Sequence, residues 1–237
     1  AMDPQQRLLL ERGYEAMNGA ALEKAAVIRT NMGVFIGIAN MDFAEVLRNS
    51  PAGKGVYSAT STTNAAAAHS VYAATGASLS IASGRLSFAL GLHGPCVSYD
   101  TACSAALVAT HGGLRAMRLN ECISGLVAGV SLMLLPGTAN SFATAGMTSP
   151  NGHCHTFDQR ADGYCRGEAC CSIALRTKEV RGAISLPLLG SCVCQDGKSA
   201  SLTAPNGVAQ TSMLLGALAN GATSPEDVAI NEAHGTG

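Results

Sequence analysis

Charge is what this sequence has least of. Only 13% of its 237 residues are Asp, Glu, Lys or Arg, about half the share of an ordinary soluble domain. The formal net charge is -1, so neither a basic nucleic-acid face nor a polybasic membrane patch is expected. Two long stretches, Gly55 to Gly84 and Cys122 to Phe157, carry no charged residue at all. The clearly apolar run within the second, Ile123 to Leu135, is interrupted by Ser124, Gly125, Gly129 and Ser131. It is also shorter than the roughly 20 residues of a membrane-spanning helix, which leaves a buried strand as its reading. The polar start, Ala-Met-Asp-Pro-Gln-Gln-Arg, does not resemble a secretory leader. No Asn-x-Ser/Thr sequon and no Cys-x-x-Cys pair occur.

What is abundant is apolar residues, 47% of the chain, together with nine cysteines. An odd cysteine count in a chain of this size speaks against a secreted disulfide scaffold and for reduced thiols in an intracellular, cytoplasmic setting. Low charge with high apolar content predicts extensive burial, between layers or against a second subunit.

Strands alternate with helices along the chain, which predicts α/β architecture. Asp3-Pro4 reads as N-cap and first helical residue of a helix to about Asn18, with Leu8, Leu9 and Met17 inward. Gly33–Ile38 reads as a buried strand, and Asp42 as the cap of a short helix through Leu47. Leu79, Ala82, Leu86 and Leu90 recur at helical spacing, while the Ala/Ser/Thr-rich stretch from Ser58 to Ala77 has no clear period. A turn at Gly91–Pro95 leads into strand-like Cys96–Asp100 and a helix from Ser104 to Arg118. Further strands are expected at Ile123–Leu134, Ala169–Leu175, Ala183–Val193 and Val228–Ala233. Further helices are expected at Thr138–Ala145 and Pro205–Ala219, with a helical turn at Ser224.

Two residues stand out chemically. Cys103 falls where a strand gives way to a helix. That junction sets a side chain at the sheet edge and aims unpaired N–H groups and the positive dipole end at its sulfur, which favours thiolate and can hold an oxyanion. The small neighbours Ala102, Ser104, Ala105 and Ala106 leave room for an acyl chain. A buried, inert cysteine is the competing reading. His234 ends an apolar run and precedes Gly-Thr-Gly, so a ligand can approach it closely and use it as hydrogen-bond donor or proton carrier. His69, His93 and His111 lack this context and read as structural. Cys170, Cys171 and Cys192 read as core. The cluster His153-Cys154-His155 with Cys165 lacks zinc-ligand spacing, so no metal is expected.

These residues fall within a larger pattern. Asp100-Thr101-Ala102-Cys103-Ser104-Ala105-Ala106-Leu107 resembles the nucleophile motif of polyketide-type β-ketoacyl synthases, and Glu232-Ala233-His234-Gly235-Thr236-Gly237 resembles their first histidine motif. Further landmarks follow in register: Met2–Glu11, Gly91–Pro95, Ser149–Gly152, Phe157-Asp158, Ala161–Tyr164, Arg166-Gly167-Glu168, Gln195–Gly197 and Leu202–Gly207. The resemblance spans essentially all 237 residues as one β-ketoacyl synthase domain. It implies a thiolase-like αβαβα layered fold and a homodimer. It also implies acyl transfer from a phosphopantetheine thioester to Cys103, then decarboxylative condensation with malonyl-acyl carrier protein. His234 would donate a hydrogen bond, and Thr236 would bind the pantetheine arm. No cofactor is expected in the domain itself, the substrates being carried on the 4'-phosphopantetheine of acyl carrier protein.

The pattern also has departures. The family's second histidine segment, its late glycine-rich loop and its opening strand are not represented. The chain therefore reads as a central fragment, and decarboxylation by these residues alone is expected to be absent. Ala169 and Cys171 replace glycines, Cys194 an asparagine, and Ala105 a serine. Three other readings compete: a non-decarboxylating thiolase, a non-catalytic homologue binding carrier protein, and a cysteine protease. Glu-Ala-His-Gly-Thr-Gly opposes the first, the joint presence of Cys103 and His234 the second, and the lack of an orienting third residue the third.

Overall fold

Strand β1 (Met32–Ile38) is buried at all seven positions, as a central strand covered on both faces must be. The computed structural model describes residues 2–40, 42–50, 73–177, 185–201 and 204–235. β1 pairs in parallel with β2 (Cys96–Tyr99) and with β3 (Ser124–Ser131), and β3 pairs antiparallel with β4 (Ala169–Arg176), giving the order β2-β1-β3-β4. Among the described residues the helices, in chain order, are α1 (Pro4–Gly19), α2 (Lys24–Val27), α3 (Asp42–Asn49), α4 (Ala73–Gly76), α5 (Leu79–Leu90), α6 (Ala105–Arg118), α7 (Pro136–Thr144) and α8 (Gly207–Asn220).

The period-two alternation of the strands sorts the sheet into two faces. Val34, Ile36 and Ile38 of β1 and Leu126, Ala128 and Val130 of β3 form one core with Leu9 and Met17 of α1 and Ala82, Leu86 and Leu90 of α5. On the opposite face Phe35 and Val127 meet Ala109, Ala116 and Met117 of α6. That second face is lean. Gly37 lies opposite Gly129 in the register, and Gly33 opposite Gly125. The absence of side chains there lets the first turn of α6 settle on the sheet: a Cβ on Gly37 would stand 2.5 Å from the Ala105 carbonyl carbon and the Ala106 nitrogen.

Asp3 caps α1 as expected, its carboxylate accepting the Gln5 N–H at 2.8 Å. Burial raises the Asp3 pKa. The neighbouring Gln5 and Gln6 are buried as well. Gln5 Nε2 donates to the Asn40 carbonyl and its Oε1 accepts from Leu132 N–H, while Gln6 donates to the Thr75 and Ser78 carbonyls and accepts from Arg85. These bonds tie α1 to the ends of β1 and β3 and to α4 and α5. Leu8, expected inward, is only half-buried.

Several expectations are corrected. Asp42 is the first helical residue of α3, not a free cap; its carboxylate accepts the Leu134 and Leu135 N–H groups at 3.1 Å. β3 ends at Ser131, because the chain then turns to make those bonds. The apolar runs 185–193 and 228–233 form no strand among the described residues. A strand needs a partner ladder, and neither run has one there; Ile230 is accordingly 87% exposed. The Ser58 to Ala77 stretch falls mostly outside the described residues, of which 73–76 form α4.

The chain divides into two compact units, Ala1–Thr138 with Gly167–Ile184, and Ala139–Arg166 with Ser185–Gly237. The sheet belongs to the first. In the second, a Thr148–Tyr164 bridge closes the loop 148–164, and Asn206 caps α8 by accepting from Val208 and Ala209 N–H groups.

Candidate active site

Cys103 lies just past the carboxyl end of β2, in a single 3-10 turn (Ala102–Ser104) that runs straight into the 14-residue helix α6. Carboxyl ends of parallel strands are where open α/β sheets place ligands. The turn is built locally. Asp100 Oδ1 accepts the Ala102 N–H at 3.2 Å, and Ser104 Oγ donates to the Thr101 carbonyl at 2.9 Å. Ala102 is thereby held at φ +53, a left-handed conformation that non-glycine residues adopt rarely and that clusters at functional sites. The kink turns the next side chain outward: Cys103 is exposed while Ala105, two residues on, is buried under the helix. No side chain caps the start of α6.

Other thiols differ. Cys122 is buried, and burial raises its pKa. Cys170 is half-buried, and burial pushes it up to about 11. Both stay protonated and shielded, the inert state of a packed cysteine. Cys171 and Cys192, expected in the core with Cys170, are respectively exposed and half-buried. Cys96, Cys154, Cys165 and Cys194 are exposed too. Exposure alone therefore does not distinguish Cys103; the strained strand-to-helix turn does.

His234 belongs to the second unit and is exposed, in irregular backbone rather than at a strand end. The following Gly235 has φ +68, and a Cβ there would collide with the Thr156 side chain. The glycine is thus required twice, by conformation and by space. It draws the histidine loop against Thr156 and Phe157. Phe157 is itself at φ +62 and 89% exposed, a combination unusual for a bulky aromatic. The sequence showed Phe157 only as part of a motif; its left-handed backbone carries no sequence signal. Cys103 sits in the first unit. Thr236 lies outside the described residues.

The loop of the second unit is stiffened by charge. Asp158 takes two bonds from the Arg160 guanidinium, at 2.9 and 2.8 Å, which with the Arg160 N–H hold its pKa at about 2. Asp162 is also lowered, first by the Ser149 hydroxyl. In the same loop the Cys165 N–H points at Cys154 Sγ at 3.1 Å, and the His153 and His155 rings stand 6.0 Å apart. Among the described residues no three His, Cys, Asp or Glu side chains are grouped to hold a metal, and no helix is long and apolar enough to cross a membrane.

Residues 1–180 match the family described as β-ketoacyl synthase, N-terminal domain, and residues 187–237 match β-ketoacyl synthase, C-terminal domain. Polyketide synthase GfsE of Streptomyces halstedii is 42% identical over 100% of this chain, which covers 6% of that protein. The mycocerosic acid synthase-like polyketide synthase of Mycolicibacterium smegmatis is 37% identical over 100% of the chain and 11% of its own length. The chain thus spans a small part of these relatives. The ketosynthase from module 6 of the bacillaene synthase of Bacillus subtilis 168 superimposes with a TM-score of 0.82 at 31% identity, over 99% of this chain and 38% of that one. An oxazolomycin ketosynthase domain from Streptomyces albus JA3453 gives a TM-score of 0.83 at 27% identity, over 100% of this chain and 39% of that one. The sheet with helices on both faces is accordingly part of the thiolase-like ketosynthase fold. With both halves of the family represented along its length, the chain belongs to the β-ketoacyl synthases.

Proposed function

We propose that this chain carries the acyl-accepting half of a decarboxylative condensing centre, with Cys103 as nucleophile. The observation that carries the reading is the exposed sulfur on a strained turn at the uncapped start of α6. In the first step the Cys103 thiolate attacks the carbonyl of an acyl thioester. The acyl–sulfur bond to phosphopantetheine breaks, the pantetheine thiol leaves with a proton, and the acyl group stays on Cys103. Within the turn the Ala102, Ser104 and Ala105 N–H groups are bonded to Asp100, Thr101 and Ala102, so the Cys103 N–H is the one suited to the oxyanion of that step.

In the second step a malonyl-type thioester loses carbon dioxide, and its enolate carbon attacks the acyl-cysteine carbonyl. The carbon–carbon bond forms as the Cys103 thiolate departs, giving a β-ketoacyl thioester longer by two carbons. The His234 imidazole donates a hydrogen bond to the thioester oxygen as the enolate charge develops. Thr236 hydrogen-bonds the pantetheine arm. No resident cofactor is required by this chemistry. The partners of the reading are an acyl carrier protein, which presents both thioesters, and a second copy of the chain.

The test uses a ketosynthase that contains these residues, supplied with an acyl thioester and malonyl-acyl carrier protein. Carbon dioxide release coupled to β-ketoacyl product, abolished by Cys103→Ala and reduced by His234→Ala, is the expected result. Condensation of acetyl thioesters without a malonyl donor is the outcome that overturns the decarboxylative assignment.

A further inference from the structure

Cys192 and Cys194 are separated by one residue in the second unit, and their sulfurs are 3.6 Å apart. No helix or strand organises this backbone, yet it is pinned on both sides. Ser191 N–H donates to Asn220 Oδ1 at 3.2 Å. Downstream, the Asp196 carboxylate accepts Asn206 N–H at 3.2 Å and its carbonyl accepts Asn206 Nδ2 at 2.8 Å. The stretch between these anchors is therefore stretched along α8. Gly190 lies on Ala217 and Gly221, and the Cys192 sulfur rests on Gly216, where a Cβ would be 2.9 Å from it. Cys194, two residues on, is exposed.

The other thiols are not so placed. Cys170 and Cys171 are adjacent on β4 and point to opposite faces of the sheet. The Cys165 thiol donates to the Arg166 carbonyl at 3.6 Å. Between Cys192 and Cys194 a thiol-to-thiol hydrogen bond forms instead, and it is the first cause of the raised Cys194 pKa. A covalent bond between these sulfurs requires an approach to about 2.05 Å. Cys194 is the exposed partner and Cys192 the half-buried one.

We propose that Cys192 and Cys194 form a reversible dithiol–disulfide site whose co-substrate is a low-molecular-weight disulfide of the glutathione class. Cys194, the exposed thiol of the pair, gives up its proton and attacks one sulfur of the disulfide, and one glutathione leaves as thiolate and takes up a proton. Cys192 then attacks the Cys194 sulfur of the mixed disulfide, and its proton goes with the second glutathione. The protein loses two protons and two electrons, and one glutathione disulfide becomes two glutathione molecules. The closed bond is solvent-facing, the class that small thiols reopen.

The test treats the native chain with oxidised glutathione, quenches with acid and alkylates the remaining thiols. Trypsin then releases residues 182–198, a peptide containing these two cysteines and no others. The expected peptide is lighter by about 2 Da, the two hydrogens transferred, carries no alkyl group, and recovers both on dithiothreitol. Closure is expected to be several-fold faster in the native chain than in urea, because the fold holds the sulfurs together. The Cys194→Ser chain should carry glutathione or an alkyl group on Cys192. Full alkylation of both sulfurs in the unaltered chain, stable glutathione adducts without closure, a bond to a third cysteine, or closure no faster than in urea would each overturn the proposal.

Discussion

Gly37→Ala is the perturbation that ties the scaffold most directly to the nucleophile. The new methyl would stand 2.5 Å from the Ala105 carbonyl carbon and the Ala106 nitrogen, and 2.7 Å from the Ala105 oxygen, whereas ordinary contact begins at 3.4 Å. The obstructing atoms are helix backbone and cannot rotate aside. The start of α6 must therefore lift by about 0.9 Å, and the turn bearing Cys103 lifts with it. Overpacking of this kind costs about 1–3 kcal/mol, or about 2–12 °C in melting temperature for a domain of this size. Displacing a reacting atom by an ångström can cost about 100-fold in rate. Thermal melting by circular dichroism and the rate of acyl loading by intact mass read the two effects together. A Gly37→Ala chain that melts and loads like the parent refutes the close-approach argument.

Gly84→Ala is the matched control. Gly84 lies in α5 with nothing within 4 Å of its would-be Cβ, so the substitution should raise stability by about 0.5–1 kcal/mol, seen as a higher melting temperature. Asn206→Ala removes the oxygen that caps Val208 and Ala209 at 3.1 and 3.3 Å, and denaturant unfolding should show a loss of about 1–2 kcal/mol. Arg160→Ala should return the Asp158 titration from about 2 toward 3.8, read by carboxyl NMR. In the parent, the folded state binds this proton less readily than the unfolded state. Its stabilising share is therefore complete above pH 3.8 and lost as pH falls toward 2.

The elements that were legible in the sequence are those fixed by their own residues. Gly33–Ile38 is apolar throughout and lies buried in the sheet centre, and Leu79, Ala82, Leu86 and Leu90 trace a helix that occurs with those bounds. The Cys103 junction was legible for the same reason, since strand, turn and helix signals meet there. What was hidden depended on distant partners. The apolar runs 185–193 and 228–233 looked like strands, but pairing is a property of two segments and not of one. Gln5 and Gln6 gave no sign of burial, because their hydrogen-bond partners lie as far away as Leu132 and Ser78. Asp42 read as a local cap because its true partners are some 90 residues downstream. The nearness of Cys192 to Cys194, set by anchors at Asn220 and Asn206, was equally invisible.

The central claim is that Cys103 takes up the acyl group, and the direct measurement is the site of acylation. A ketosynthase containing this chain is incubated briefly with an acyl-pantetheine thioester, quenched in acid and mapped by tandem mass spectrometry. The account predicts one acyl group per chain, on Cys103 and not on the neighbouring Cys96, and none in Cys103→Ala. An acyl group retained in full by Cys103→Ala, or located on another cysteine of the unaltered protein, contradicts it.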